Sequence, residues 1–282
     1  MIPFLHLGPL SIPTYGLMVA IGLLVSAYLL QFDFNRHRAQ FIERGYLKGA
    51  DKKSPGDEAF LIIGIIGISG LMGARLYSVL ESPRELLANP ALLISRYGFT
   101  WSGSVITTLV AMVLLARHFD IPVLEFMDLC SPPAALGYSI GRIGCLLSGD
   151  GDYGVPTNLP WGMSFPNGIV PTTETCVQWG AAPNCRVHPT PIYEFLVGVV
   201  IAAFLWHMAT KALSGGGSHG EIFSAYLILT GIARLLVEFI RINPRVFYGL
   251  TNAQVVSLLS MVLGFTLLWR IKRGLALKSE TA

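Results

Sequence analysis

Seven stretches of about twenty mostly apolar residues, at 15–32, 58–80, 98–117, 122–147, 189–210, 220–241 and 251–269, limit what this chain can become. About 20 residues of helix are needed to cross about 30 Å of hydrocarbon. Lipid offers no hydrogen bonds to a bare backbone, so a run of this length crosses as a helix or not at all. Only 13% of the 282 residues are charged and the mean hydropathy is +0.58, whereas about a quarter of a soluble domain is charged. The expectation is an all-α integral membrane protein, a single seven-span domain over residues 1–282 with no internal repeat.

Lys and Arg set the orientation. If the spans alternate, Arg36, Arg38, Arg44, Lys48, Lys52, Lys53, Arg117, Lys211, Arg270, Lys272, Arg273 and Lys278 share one face, and they are twelve of the 20 basic residues. The positive-inside rule makes that face cytoplasmic, with the N-terminus outside and the C-terminus inside. Arg84, Arg96, Arg186, Arg241 and Arg245 fall on the other side. No secretory signal peptide is read, because no basic residue precedes Arg36.

Arg75, Arg142 and Arg234 remain, and they lie inside predicted spans. All three sit on helices running outward, roughly 20–30 Å from the inner end at about 1.5 Å per residue. An arginine in the bilayer costs about 2.5–3.5 kcal/mol on insertion scales, so each is expected to face the bundle interior beside an anion. One reading makes them structural ion pairs with Glu81, Asp128, Glu194 and Glu238; Arg234 and Glu238 stand at i, i+4, with Arg241 on the same face. The other notes that a guanidinium fork matches phosphate, and that phospholipid headgroups supply phosphate at this depth. That reading predicts a phospholipid site open to the outer side.

Residues 148–188 form an outward connection well beyond ordinary loop length. Tyr153, Trp161, Met163, Phe165 and Trp179 make it too apolar for disorder, so a folded extracytoplasmic loop is expected, although an interfacial aromatic belt would use the same residues. Cys176 and Cys185 lie within it on the oxidising side, where a disulfide between them is expected. Cys130 and Cys145 fall in a span and read as small buried residues. No His/Cys spacing suggests a metal. Gly64, Gly67, Gly70 and Gly73 suggest close helix packing, and Pro132 and Pro133 a kink in the fourth span. His6, His37, His118, His207 and His219 are assigned to loops or span ends, residues 36–57 and 214–219 to cytoplasmic loops. His188 opens "HPTPIYE" at the height of the arginines.

These segments resemble the prolipoprotein diacylglyceryl transferase family of bacteria. "GRIGCLLSGDGDYG" (141–154) is similar to its signature, and "YGLMVAIG", "GARLYSV", Asp128, "LPWGMSFP", "HPTPIYE", "RLLVEFIR" and "GLTNAQVVSL" follow in family order across nearly the whole chain. The resemblance implies seven spans in the bacterial inner membrane and transfer of diacylglyceryl from phosphatidylglycerol to the lipobox cysteine thiol of a pre-prolipoprotein, with release of glycerol phosphate. Arg142 and Arg234 match the family's essential arginines. Tyr15, Asp128, Glu194, Glu238 and Arg241 match positions that orient them or line the cavity, and Arg75 is placed with the substrate-binding set. No cofactor, metal or nucleic acid is implied, and a monomer is expected.

The sequence departs from the family at three positions. Ser102 stands where the family has histidine, Thr230 where it has tyrosine, and Cys145 where it has the signature asparagine. Histidine suits proton transfer near neutral pH, and Ser or Thr does not replace it directly. Three functions therefore compete: the family reaction, with His188, a loop acid or solvent handling the proton; a transferase using the same donor with another acceptor; and a phospholipid-binding or transport protein without catalysis.

Overall fold

The computed structural model describes residues 1–43, 56–81, 101–183, 185–215, 219–246 and 248–280. A short hairpin, β1 (Phe4–Leu7) and β2 (Leu10–Pro13), precedes helices α1 (Thr14–Glu43), α2 (Ala59–Glu81), α3 (Trp101–His118) and α4 (Val123–Ser148). Then follow the short α5 (Thr172–Gln178), α6 (Thr190–Gly215), α7 (Glu221–Glu238) and α8 (Asn252–Glu280). A helix forms the body of each apolar stretch, so the protein is mostly helical. Residues 14–43, 59–80, 190–212 and 252–274 are long and apolar enough to cross a membrane. The 18-residue α3 is short, while α4 and α7 carry charged residues, such as Arg142, Arg234 and Glu238, that dilute their apolar character.

Three details differ from the expectation. The hairpin was not anticipated: four-residue strands give too little alternation to read, and the turn depends on Gly8 at φ +63°. Helix α1 continues past residue 32, so Arg36, Arg38 and His37 lie on helix rather than in a loop, and His37 Nδ1 lies 2.7 Å from the Asp33 carbonyl. Helix α8 likewise carries Arg270, Lys272 and Arg273 beyond its apolar part. Hydropathy ends where polar residues begin, but a helix does not have to.

The chain packs as two compact units. One comprises Met1–Ser26 with Asp128–Ala282, the other Ala27–Met127. In the first, α4 lies directly on the N-terminal half of α1: a Cβ at Gly22 would sit 2.8 Å from the Gly137 carbonyl oxygen, and Ser26 donates to the Pro133 carbonyl at 2.8 Å. Ala135, Ile201, Ala202, Leu205, Ala209 and Ile222 form the core between α4, α6 and α7. Residues 148–188 fold over a second cluster of Tyr153, Phe165, Cys176 and Val187, where Tyr153 and Phe165 stack at 5.2 Å.

In the second unit, Phe34 meets Phe41 and Phe126 at 6.0 and 6.1 Å. There α2 and α3 touch through Gly73, where a Cβ would sit 2.5 Å from the Gly103 carbonyl oxygen, and through Gly70 against Ser104. Gly64, expected in the same contact, faces open space. Residues 44–55, 82–100 and 216–218 lie outside the described residues, and with them Arg44, Lys48, Lys52, Lys53, Arg84 and Arg96. The side chains of Glu81 and Ser102 do as well.

Candidate functional site

The site begins on α4. Tyr138 and Arg142 stand one turn apart, so the guanidinium lies 4.8 Å over the Tyr138 ring. Helix α6 brings Glu194 opposite them, and α7 brings Arg234 and Glu238, with Arg241 just past its end. Glu194 is the hub: its Oε1 accepts from Arg234 Nη1 at 2.6 Å and from the Tyr138 hydroxyl at 2.7 Å, and its Oε2 lies 3.2 Å from Arg241 Nη1 and 3.6 Å from Arg142 Nε. Glu238 Oε2 sits 3.1 Å from Arg234 Nη2 and 3.7 Å from Arg241 Nε, and its Oε1 accepts from Asn243 at 2.6 Å. Charges this deep persist only when paired and hydrogen-bonded.

The loop supplies a third carboxylate. Asp152 gives one oxygen to Arg142 and the other to Arg241, bridging α4 to the end of α7. Its backbone carbonyl accepts from Thr190 at the start of α6, and Gly154 pairs with Arg241 as an isolated bridge. Gly151 at φ +93° makes the turn that presents it. Burial would push the Asp152 carboxyl up, but the Arg241 and Arg142 guanidiniums overcome that and hold it down at about 2. Asp150 shifts the other way, pushed up by burial and by the charge of Asp152.

Tyr15, in the first turn of α1, lies against Gly144 of α4 and therefore beside this cluster. His188 is nearby but turned elsewhere: its Nδ1 is 3.3 Å from the Tyr193 hydroxyl, which accepts from Trp161 Nε1 at 2.8 Å. Thr230, one turn before Arg234, donates its hydroxyl to the Tyr226 carbonyl at 2.6 Å. Arg75 is buried on α2 in the other unit.

Asp128 departs from its expected place. Its carboxylate accepts from the backbone N–H groups of Gly220 at 2.6 Å and Phe223 at 2.7 Å, so it caps α7 at the end away from Arg234. A polar residue inside an apolar run looks the same in sequence whether it lines a cavity or caps a neighbouring helix.

Two members were missed. Tyr138 was legible as the residue one turn before Arg142; Asp152 stood in the quoted signature, but only the loop path shows which of its two aspartates meets the arginines. Cys145 lies 3.6 Å from Arg142 Nη1. Cys145, Asp150 and Asp152 place possible ligand atoms within 4.8 Å of one another, the one such grouping among the described residues. Arg142 and Arg241 beside it oppose a further cation by like-charge repulsion. In the loop, Cys176 and Cys185 are joined by a disulfide, with Cα atoms 5.8 Å apart.

The arrangement can hold an anionic headgroup against fixed guanidiniums and stabilise a phosphate that leaves with growing negative charge. Comparisons with known proteins agree with the motif reading. A Clostridium tetani protein named phosphatidylglycerol-prolipoprotein diacylglyceryl transferase is 33% identical over 259 residues, spanning 90% of this chain and 91% of its own. Proteins of the same name from Cupriavidus metallidurans and Bordetella bronchiseptica are each 30% identical, over 280 and 254 residues, covering 96% and 88% of this chain and 93% and 85% of theirs. The family model described as prolipoprotein diacylglyceryl transferase matches residues 3–270, and the chain belongs to that family.

Proposed function

We propose that this protein is an inner-membrane enzyme of seven spans, N-terminus outside and C-terminus cytoplasmic, that moves diacylglyceryl from phosphatidylglycerol to the lipobox cysteine of pre-prolipoproteins. Residues 148–188 form an extracytoplasmic insert in one membrane domain. The observation that carries the reading is the convergence of Arg142, Arg234 and Arg241 on Glu194, beside a folded loop. Such a cluster is more than one helix pair needs for packing, and its forks suit a phosphodiester.

In the reaction the acceptor sulfur attacks the terminal glyceryl carbon of the diacylglyceryl group. The carbon–oxygen bond to phosphate breaks, a thioether forms, and glycerol phosphate departs with the bonding pair. The thiol proton goes to a base. Arg142 and Arg234 hold the phosphate as its charge grows, while Glu194 and Glu238 fix their planes. Tyr15 lines the same wall. Arg75 is retained as a donor-side candidate on its own unit, and His188 as a candidate base that would first have to leave Tyr193. The protein acts as a monomer, without a cofactor.

A transferase with a different acceptor is the second reading. It is favoured by Thr230, whose hydroxyl is spent on the Tyr226 carbonyl where the family resemblance places a tyrosine. Incubation of the purified protein with labelled phosphatidylglycerol and a lipobox peptide decides between them. Peptide gaining one diacylglyceryl group per glycerol phosphate released is the expected result. Donor turnover without peptide modification would favour the second reading, and no turnover at all would overturn both.

A further inference from the structure

The charge balance of the site raises a question. Arg142, Arg234 and Arg241 are met by Asp152, Glu194 and Glu238, so positive and negative charges already match before any donor arrives. A phosphodiester adds a negative charge in a poorly solvated place. One carboxylate must therefore withdraw or take up a proton, because an uncompensated buried charge is strongly unfavourable.

The three carboxylates are not equivalent. The side chains of Glu194 and Glu238 are 5% and 0% exposed and project from helices, whereas that of Asp152 is 30% exposed and projects from a loop. Asp152 touches the arginines only through its carboxylate, one oxygen to each guanidinium, as two oxygens of a phosphate would. Its backbone is fastened separately by Thr190 and, through Gly154, by the His188 carbonyl and Arg241. The side chain can thus swing out while these contacts keep the loop attached, though less tightly than with the arginine contacts made.

Resting on the phosphate-site reading above, we propose that Asp152 is an internal stand-in for the donor headgroup: its carboxylate occupies the Arg142–Arg241 fork between turnovers and is exchanged for the phosphodiester on binding. It is then a positioning and specificity residue. It keeps the two arginines splayed at phosphate spacing and keeps weakly bound anions out, since an entering group must outcompete it.

The test is direct because the sign is unusual. Removing a residue that braces a site weakens binding, but removing an internal competitor strengthens it. With short-chain phosphatidylglycerol as probe and the full-length protein in detergent, Asp152→Asn is expected to lower Kd and KM about tenfold, as when a masked state becomes fully competent. Asp152→Glu, which keeps the carboxylate, should stay near the parent. Weaker or unchanged binding by folded Asp152→Asn would overturn the proposal.

A measurement on the unaltered protein guards against a variant that fails to fold. Labelling of Asp152 by a water-soluble carbodiimide, mapped by mass, should rise when the phospholipid is added, and unchanged or reduced labelling would also overturn the exchange. The phosphate-site reading fails separately. If Arg142→Gln binds the probe as well as the parent does, the headgroup is not held by the fork, whatever Asp152 does.

Discussion

Glu194 on α6 and Arg234 on α7 meet at 2.6 Å, and through that contact one carboxylate fixes three guanidiniums and a phenol. The Glu194 side chain is only 5% exposed. Glu194→Gln keeps the shape and removes the charge, leaving Arg142, Arg234 and Arg241 with two carboxylates. Breaking a buried pair this way costs about 3–5 kcal/mol. The expected result is a fall in thermal unfolding temperature in detergent together with loss of donor turnover; an unchanged melting curve would mean that the arginines are held mainly by Glu238 and Asp152.

Asp128→Ala should act differently, because the carboxylate caps α7 and does not face the arginines. Losing a cap costs about 0.5–2 kcal/mol, and two buried N–H groups left bare put the loss at the upper end. Stability should drop by about 2 kcal/mol, while KM for phosphatidylglycerol changes less than about twofold in the protein that remains folded. A large KM effect with intact stability would return Asp128 to the donor site. Asp128→Asn, which keeps one acceptor, should fall between.

How much of this could be read from the chain differs from residue to residue. The apolar runs announce the helices because lipid permits few alternatives. Arg234 and Glu238 announce each other by their i, i+4 spacing, and Arg142 by standing alone in an apolar run. Asp128 was legible as a buried acid but not as a cap, since its donors lie 92 and 95 residues away in sequence. Asp152 depended on a turn at Gly151 and on Thr190 across 38 residues. The hairpin and the polar continuations of α1 and α8 escaped because periodicity needs length and hydropathy needs lipid.

The loop attachment should depend on pH in a definite direction. Asp152 is held at about 2, below its ordinary value near 3.9, so its contribution to holding the loop is complete above about pH 4 and is lost as pH falls through about 2. Asp150 is shifted upward, so it favours the folded loop when protonated and opposes it once pH rises through its raised value. Limited proteolysis of residues 148–188 reads both. The parent's loop should become more susceptible on acidification from pH 4 to 2, a change that the Asp152→Asn protein lacks. Asp150→Asn should make the loop more resistant at neutral pH. A parent profile identical to that of Asp152→Asn would show that the arginine contacts do not hold the loop.

Thr230 bears most directly on which acceptor the enzyme serves. Its hydroxyl donates to the Tyr226 carbonyl, so its one proton is committed within its own helix and none is left to give a substrate beside Arg234, one turn farther on. A tyrosine at this position, as in the family pattern, cannot bond back in that way and would carry its phenol outward along the α7 face that bears Arg234. Proton-handling groups contribute about 10²–10⁴-fold to a rate, and one regained member of such a set should restore only part of that, about tenfold. Thr230→Tyr is therefore expected to raise kcat for diacylglyceryl transfer to a lipobox peptide while leaving KM for phosphatidylglycerol within about twofold, because the arginines that hold the donor do not change. The two parameters separate the outcomes. A higher kcat at constant KM identifies a thiol acceptor limited by proton transfer. Unchanged kcat in a variant that still binds donor would show that the missing phenol does not limit the step, and the reading with a different acceptor would then take precedence.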